Sequence, residues 1–237
     1  MERRVALVTG AAKGIGAATV RALADNGYSV IINYRNSEAQ AISLMHELLN
    51  KEINCTAIQA DLSDPKQAEE LYAQCKKCFG FIDTVINNAG VSHFGLVTED
   101  GWSDYQSVLD NNFGTAFNTT RLFARDMISN NRGNIINISS VWGRRGAATE
   151  ALYSASKSAL IGFTKAVAKE LSPHGVNVNC ILPGYVRTDM NAMFDQAEEQ
   201  DILRRMRQKN ALTPEDVADK VLQTLLKNVT GKIISVN

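Results

Sequence analysis

Val5-Ala6-Leu7-Val8-Thr9-Gly10-Ala11-Ala12-Lys13-Gly14-Ile15-Gly16 is the stretch on which the reading of the fold turns. A short apolar run suited to a buried strand enters a turn with three glycines, and an amphipathic segment follows at once. Glycines at such a junction permit a tight turn. They also let backbone amides approach a pyrophosphate, which then sits at the positive end of the following helix. A glycine-rich turn is commonly no more than a turn. Its place between the first strand and the first helix makes it a candidate dinucleotide site, with Gly10, Lys13, Gly14, Ile15 and Gly16 as its residues. The spacing is GxxxGxG and not GxGxxG, which points to a particular variant of the fold.

Outward from this junction the same alternation repeats. Apolar, β-rich runs near 4–9, 29–34, 54–60, 82–87, 133–139, 175–181 and 232–236 are separated by segments with helical periodicity. Those segments are 13–27, 37–51, 65–79, 101–130, 152–171, 191–208 and 214–227. Strands alternating with amphipathic helices predict βαβ units and a parallel sheet. No linker, repeat or low-complexity tract interrupts them, and the four prolines stand near element boundaries. The expectation is one α/β domain over 1–237: a doubly wound parallel sheet of the Rossmann type, about seven strands with helices on both faces.

Composition narrows the function classes. Acidic and basic residues balance at 25 each, so no global field favours nucleic acid or an anionic membrane. Met1-Glu2-Arg3-Arg4 leads into an apolar run far below the length of a spanning helix, so neither a secretion signal nor a membrane anchor is expected and the chain reads as cytoplasmic. Cys75 and Cys78 form a CxxC, but with Leu71 they fall on one apolar helix face, so core thiols are expected. His46-Glu47 lacks the second histidine of HExxH, since Asn50 stands there. No metal site is expected.

The strand ends carry the chemistry. After the second strand the chain reads Ile32-Asn33-Tyr34-Arg35-Asn36-Ser37, with no carboxylate before Glu38. An acidic residue there would accept from a ribose 2′-hydroxyl and repel a 2′-phosphate. Arg35, with Lys13, could instead pair with that phosphate, so NADP(H) is favoured over NAD. Asp61-Leu62 ends the third strand, where ligands bind in open α/β sheets, and Asp64-Pro65 reads as a helix cap and first turn. Asn87-Asn88-Ala89-Gly90 ends the fourth. Asn111 and Asn112 interrupt a long helical stretch, and asparagine competes there for backbone hydrogen bonds, so a local distortion or a polar task is expected. Ser139-Ser140 ends the fifth strand.

Tyr153-Ser154-Ala155-Ser156-Lys157 places a phenol and an amine four residues apart on one helix face. A nearby positive charge favours the phenolate, so the expectation is a Tyr153 hydroxyl shifted toward the pH range where it can exchange a proton.

In this order, the turn from Thr9 through Gly16, Asp61, Asn87 through Gly90, Asn112, Ser140, Tyr153, Lys157, then Pro183-Gly184 and Thr188, resemble the short-chain dehydrogenase/reductase family. The resemblance implies roles. Tyr153 would be the general acid for carbonyl reduction, Lys157 would lower its pKa and hold the nicotinamide ribose, Ser140 would hydrogen-bond the substrate oxygen, and Asn112 would hold a relay water. Cofactor contacts would come from the glycine turn, Tyr34 and Arg35, Asp61 and Leu62, Asn88, Ala89 and Gly90, and Pro183, Gly184, Val186 and Thr188. Leu160-Ile161-Gly162-Phe163-Thr164-Lys165, Gly175-Val176-Asn177-Val178-Asn179 and the run from Pro183 through Met190 are most similar to the β-ketoacyl-(acyl-carrier-protein) reductases. That implies a 3-oxoacyl thioester substrate on a carrier protein, in fatty acid or polyketide-like synthesis, and a homodimer or homotetramer. A reductase of a free small ketone, or a nucleotide-sensing protein without turnover, are the other readings.

Residues 190–213 are expected to form a substrate lid. Glu198, Glu199 and Asp201 precede Arg204, Arg205, Arg207 and Lys209, the polarity a helix macrodipole prefers. The rival reading gives this basic end, with Arg144 or Arg145, to the acidic surface or phosphopantetheine of a carrier.

Overall fold

The computed structural model describes residues 4–191 and 194–237. Met1 through Arg3, on which part of the expectation about the N-terminus rests, and Ala192 and Met193 of the expected lid lie outside them.

Strands β1 (Arg4–Val8), β2 (Tyr28–Tyr34), β3 (Cys55–Gln59), β4 (Thr84–Asn87), β5 (Gly133–Ile138), β6 (Val176–Pro183) and β7 (Ile233–Val236) form one parallel sheet. Its order is β3-β2-β1-β4-β5-β6-β7. Successive residues of β1 face opposite sides, so Ala6 and Val8 pack with one core and Val5 and Leu7 with the other. Both faces of the central strands are covered, which is why their sequences are apolar throughout and not alternating. On the first face lie α1 (Gly14–Asp25), α2 (Glu38–Leu49) and α9 (Pro214–Leu226), through Val20, Leu44 and Val217. On the second lie α3 (Pro65–Phe79), α5 (Thr115–Ser129) and α7 (Ala151–Leu171), through Leu71, Phe123 and Val167. A third, smaller core gathers at the carboxyl end of β6, where Trp142, Leu182, Tyr185, Ile202 and Met206 meet.

The element boundaries expected from the sequence hold with four differences. The stretch expected as one helix over 101–130 is α4 (Trp102–Leu109), a π-helical turn (Asp110–Gly114) and α5. The distortion falls on the paired asparagines, as their helix-interior placement predicts. A short helix α6 (Trp142–Arg145), outside the helical segments expected from the sequence, follows Ser140. The segment 191–208 is helical as α8 (Gln196–Met206), preceded by a 3-10 turn (Asp189–Asn191). Cys78 is exposed, while Cys75 is buried as a core thiol, because the inward stripe of α3 runs through Ala68, Leu71, Cys75 and Phe79 and leaves Cys78 to one side. Asp64 caps α3 as expected, accepting from the Lys66 amide at 2.9 Å, with Pro65 in the first turn.

Candidate functional site

Between β1 and β4 the strand order reverses, so the loops that follow them diverge and leave a crevice at the carboxyl edge. A cleft of about 540 Å³ opens there, within the usual range for small-molecule sites. It is lined by Gly10, Lys13, Gly14, Ile15, Tyr34, Arg35, Asp61, Leu62, Asn88, Ala89, Gly90, Ser140, Tyr153, Lys157, Pro183, Gly184, Val186 and Thr188. Eighteen residues singled out from the sequence thus converge on one cavity. Gly16 and Asn112 do not line it.

Gly10 adopts φ +58°, and a Cβ there would come within 2.9 Å of Ala89 Cα. The glycine therefore serves both the turn and the close approach of the β4 loop. Gly16 acts behind the turn: a Cβ on it would lie 2.5 Å from the Gly10 carbonyl and 2.8 Å from the Asn88 side chain. Its role is the packing of helix against turn, not contact with the cleft. Thr9 joins the two loops, its hydroxyl accepting from the Asn88 and Ala89 amides at 3.0 Å each.

Asn33 was not singled out by the sequence as a site residue. It is 2% exposed, and its Oδ1 accepts from the Gly10 amide at 3.3 Å. Its Nδ2 faces the carbonyls of Tyr34, Ile58 and Ala60 at 3.2–3.4 Å. One amide thus ties the loops after β1, β2 and β3 together. The signal was available, since a buried asparagine inside Val30-Ile31-Ile32-Asn33-Tyr34 must find partners.

The two cations expected for a phosphate stand at the cleft in exposed ion pairs. Lys13 pairs with Asp189 at 3.5 Å and Arg35 with Asp61 at 3.6 Å; Arg35 also donates to Asn111. Exposed pairs of this kind contribute about 0–1 kcal/mol, so both cations can exchange partners at little cost.

At the other end, the tail of β5 is fastened to β6 by Ser139 N to Ile181 O at 2.8 Å and Val141 N to Pro183 O at 3.0 Å. That fixes Ser140, whose hydroxyl accepts from the Trp142 amide at 3.1 Å. Lys157 is 5% exposed and donates to the Ile138 carbonyl at 3.1 Å. Its Nζ lies 5.7 Å from the centre of the Tyr153 ring. Asn112, 1% exposed, spends its side chain on Val91 N (2.7 Å), Val91 O (3.0 Å) and the Ser156 hydroxyl (2.9 Å).

The electrostatics correct the expectation for the phenol. Burial pushes Tyr153 up to about 12; Ser140 pulls it back and the nearby Glu150 raises it further. Burial also pushes Lys157 down to about 8. Lysine and phenol share a helix face, but desolvation outweighs the attraction that spacing alone predicts. Glu150 itself is pushed up to about 7 by burial, opposed by Arg205 and a hydrogen bond from Trp142.

Arg144 and Arg145 are held within the chain. Arg144 reaches Ser235 Oγ at 3.3 Å and the Ile233 carbonyl at 3.4 Å, and Arg145 donates to the Met206 carbonyl at 2.8 Å. They brace β7 and the end of α8 from exposed positions. Helix α8 carries the charge order its macrodipole prefers: Asp195 caps it with Glu198 as partner, and Arg204 and Arg205 occupy its last turn.

A crevice at the sheet's reversal, holding a glycine turn at one end and serine, tyrosine and lysine at the other, defines a nucleotide-dependent oxidoreductase class. The family described as short chain dehydrogenase matches residues 4–199, and the chain belongs to it. It is 35% identical to an uncharacterized oxidoreductase of Bacillus subtilis, YmfI, over 99% of this chain and 97% of that one. It is 37% identical to a 3-oxoacyl-[acyl-carrier-protein] reductase of Synechocystis, over 92% of this chain and 87% of the relative. Among solved structures, a dehydrogenase/reductase from Sinorhizobium meliloti superposes with TM-score 0.91 at 31% identity, covering 100% of this chain and 94% of that one. A variant actinorhodin polyketide ketoreductase with NADPH gives 0.89 at 28% identity, covering 99% and 95%. The chain is thus a short-chain oxidoreductase acting on CH–OH and C=O groups, related to 3-oxoacyl carrier-protein reductases and to a polyketide ketoreductase. No helix among the described residues is long and apolar enough to cross a membrane.

Proposed function

We propose that this chain is an NADPH-dependent ketoreductase that converts a 3-oxoacyl thioester, borne on an acyl-carrier protein, to the 3-hydroxyacyl form in fatty acid or polyketide-like synthesis. The observation that carries the reading is that one cleft is lined both by Lys13 and Arg35 and by Ser140, Tyr153 and Lys157. The substrate class is supported by the 34–37% identity to relatives named 3-oxoacyl-[acyl-carrier-protein] reductases. The chain works as a single domain over 1–237 with 190–213 as its lid, in the cytoplasm, as a homodimer or homotetramer.

The residues present suit a dinucleotide. Side chains at Gly10 and Gly16 would collide with the β4 loop and with the back of the turn, so only glycine lets the turn close to this shape, and Arg35 and Lys13 give cations where a 2′-phosphate would lie. A bound nicotinamide would supply the hydride. Ser140 hydrogen-bonds the substrate oxygen, and Tyr153, protonated throughout the neutral range, delivers the proton. Lys157 holds the ribose, and its charge stabilises the phenolate left behind. Asn112, whose side chain is committed to Val91 and Ser156, would serve a relay water from its main chain.

NADPH oxidation measured with acetoacetyl thioesters, against a panel of free ketones and with Tyr153→Phe as control, tests the reading. Thioester turnover that the variant loses is the expected result. Turnover confined to free ketones would move the assignment to a small-ketone reductase. Tight NADPH binding with no turnover on any compound would move it to a nucleotide sensor.

A further inference from the structure

Residues 183–188 supply four cleft-lining positions at and beyond the end of strand β6 at Pro183, where backbone pairing is reduced to the Gly184 amide on the Val236 carbonyl at 2.8 Å and a single parallel bridge between Val186 and Leu212. One buried side chain adds to these bonds at Tyr185, beside the Asn191 side-chain amide that donates to the Val186 carbonyl at 2.8 Å. Gln208 is 7% exposed. Its Oε1 accepts from the Tyr185 amide at 2.8 Å, and its Nε2 donates to the Tyr185 carbonyl at 2.9 Å and the Asn210 carbonyl at 2.7 Å. Both backbone groups of Tyr185 are thus met by a side-chain amide, as a neighbouring strand would meet them. The approach is close enough that a Cβ on Gly184 would run into Oε1. Downstream, Leu212 continues the same contact: its amide donates to Tyr185 O at 2.9 Å, and its carbonyl accepts from Arg187 N at 2.9 Å.

Gln208 is in turn positioned by helix α8. Its amide donates to the Leu203 carbonyl at 2.9 Å across Arg207, which takes a left-handed conformation at φ +54° to end the helix. Arg145 holds the same helix end through the Met206 carbonyl. A shift of α8 therefore carries Gln208 with it, and the Tyr185 backbone follows.

We propose that Gln208 is a positioning residue that couples helix α8 to the loop 183–188, setting where that loop presents itself to the nicotinamide half of the cofactor. The inference rests on the dinucleotide reading of the cleft. It goes further in making cofactor placement depend on the segment that would cover the substrate.

The test compares wild type with Gln208→Glu and Gln208→Met. Dissociation constants are read by fluorescence for NADPH and NADH, and by calorimetry for their adenosine halves, 2′,5′-ADP and ADP, at pH 6 and pH 8. A glutamate at 208 can still accept from Tyr185 N, but when ionised it sets oxygen against two carbonyls; burial raises its pKa, and protonation restores one donor. On the order of tenfold weaker dinucleotide binding is expected for Gln208→Glu at pH 8, the scale of a buried unmet hydrogen bond. Partial recovery is expected at pH 6. Gln208→Met should be weakened at both pH values, and the adenosine halves should change less than twofold in either variant. Equal weakening of dinucleotide and adenosine half would mark a general loss of structure and overturn the coupling, as would no weakening. Wild type that binds neither dinucleotide nor adenosine half would sink the cofactor reading and the coupling with it.

Discussion

At Tyr153 and Lys157 burial acts on two groups of opposite charge type, raising the phenol to about 12 and lowering the ammonium to about 8. For reduction the phenol must carry its proton, which it does at every pH near neutrality. The titrating partner is the lysine, whose charge is present below about 8 and lost above it. The rate of carbonyl reduction is therefore expected to be flat below pH 8 and to fall above it, with Lys157→Arg, charged throughout, losing that limb; a pH profile of kcat measures both. The stability sign follows from the same depression: the buried ammonium is penalised in the folded state, so this lysine's contribution to stability is lost as pH falls through about 8. Arg35 governs a separate choice. Replacing it by Glu removes a phosphate partner and adds a like charge, so the ratio of NADPH to NADH affinity is expected to drop by one to two orders of magnitude, roughly the 1.5–3 kcal/mol of a charged hydrogen bond. Titration with both dinucleotides checks it; an unchanged ratio would assign the preference elsewhere.

Among the elements, the four loops after β1, β2, β3 and β4 are bound to one another through side-chain amides and hydroxyls. Asn33 spans the loops after β1, β2 and β3, and Thr9 spans those after β1 and β4. Asn33→Leu takes their side-chain partner from the Gly10 amide and the Ala60 carbonyl, at about 1–3 kcal/mol for each uncompensated group. For a chain of this size one kcal/mol moves Tm by about 2–4 °C. Thermal unfolding is thus expected to shift down by roughly 5–10 °C, with weaker dinucleotide binding; a variant with wild-type Tm would mean that the loops hold by packing alone. The π turn at Asp110–Gly114 shows the same dependence of backbone on side chain. It brings Asn112 inward, where its amide meets Val91 and Ser156, so a defect in a helix joins the β4 loop to the helix of Tyr153.

For the whole molecule, the faces of α4, α5 and α7 away from the sheet carry aromatic residues that a lone chain would leave wet. Trp102 is 71% exposed and Phe117 44%, with Phe117 beside Phe113 and Phe163. Such a surface suits a copy of the same chain across a two-fold axis. Sedimentation is expected to give a mass at least double 25.9 kDa, and Phe117→Glu to lower it; a wild-type monomer at micromolar concentration would refute the proposed assembly. The third core, at Trp142, Tyr185, Ile202 and Met206, is where the proposed lid meets the frame. Motion of α8 would therefore have to unpack apolar surface and break the Arg145 bond together.

The order of strands and helices was legible in the sequence because burial on two faces forces continuous apolar runs and amphipathic helices, and both are local patterns. The glycine turn, the strand-end residues and the Tyr153 to Lys157 spacing were legible for the same reason. Cys78 and α6 show the limit, since each depends on what packs alongside, whereas the paired asparagines signalled the break at Asp110–Gly114. Only the tertiary structure decided that Gly16 and the Asn112 side chain serve packing behind the cleft, and that Arg144 and Arg145 brace their own chain. It alone revealed the ties made by Asn33 and Gln208. It also decided the sign of the Tyr153 shift: spacing sets which charges are neighbours, but the balance between attraction and desolvation depends on how much protein surrounds them.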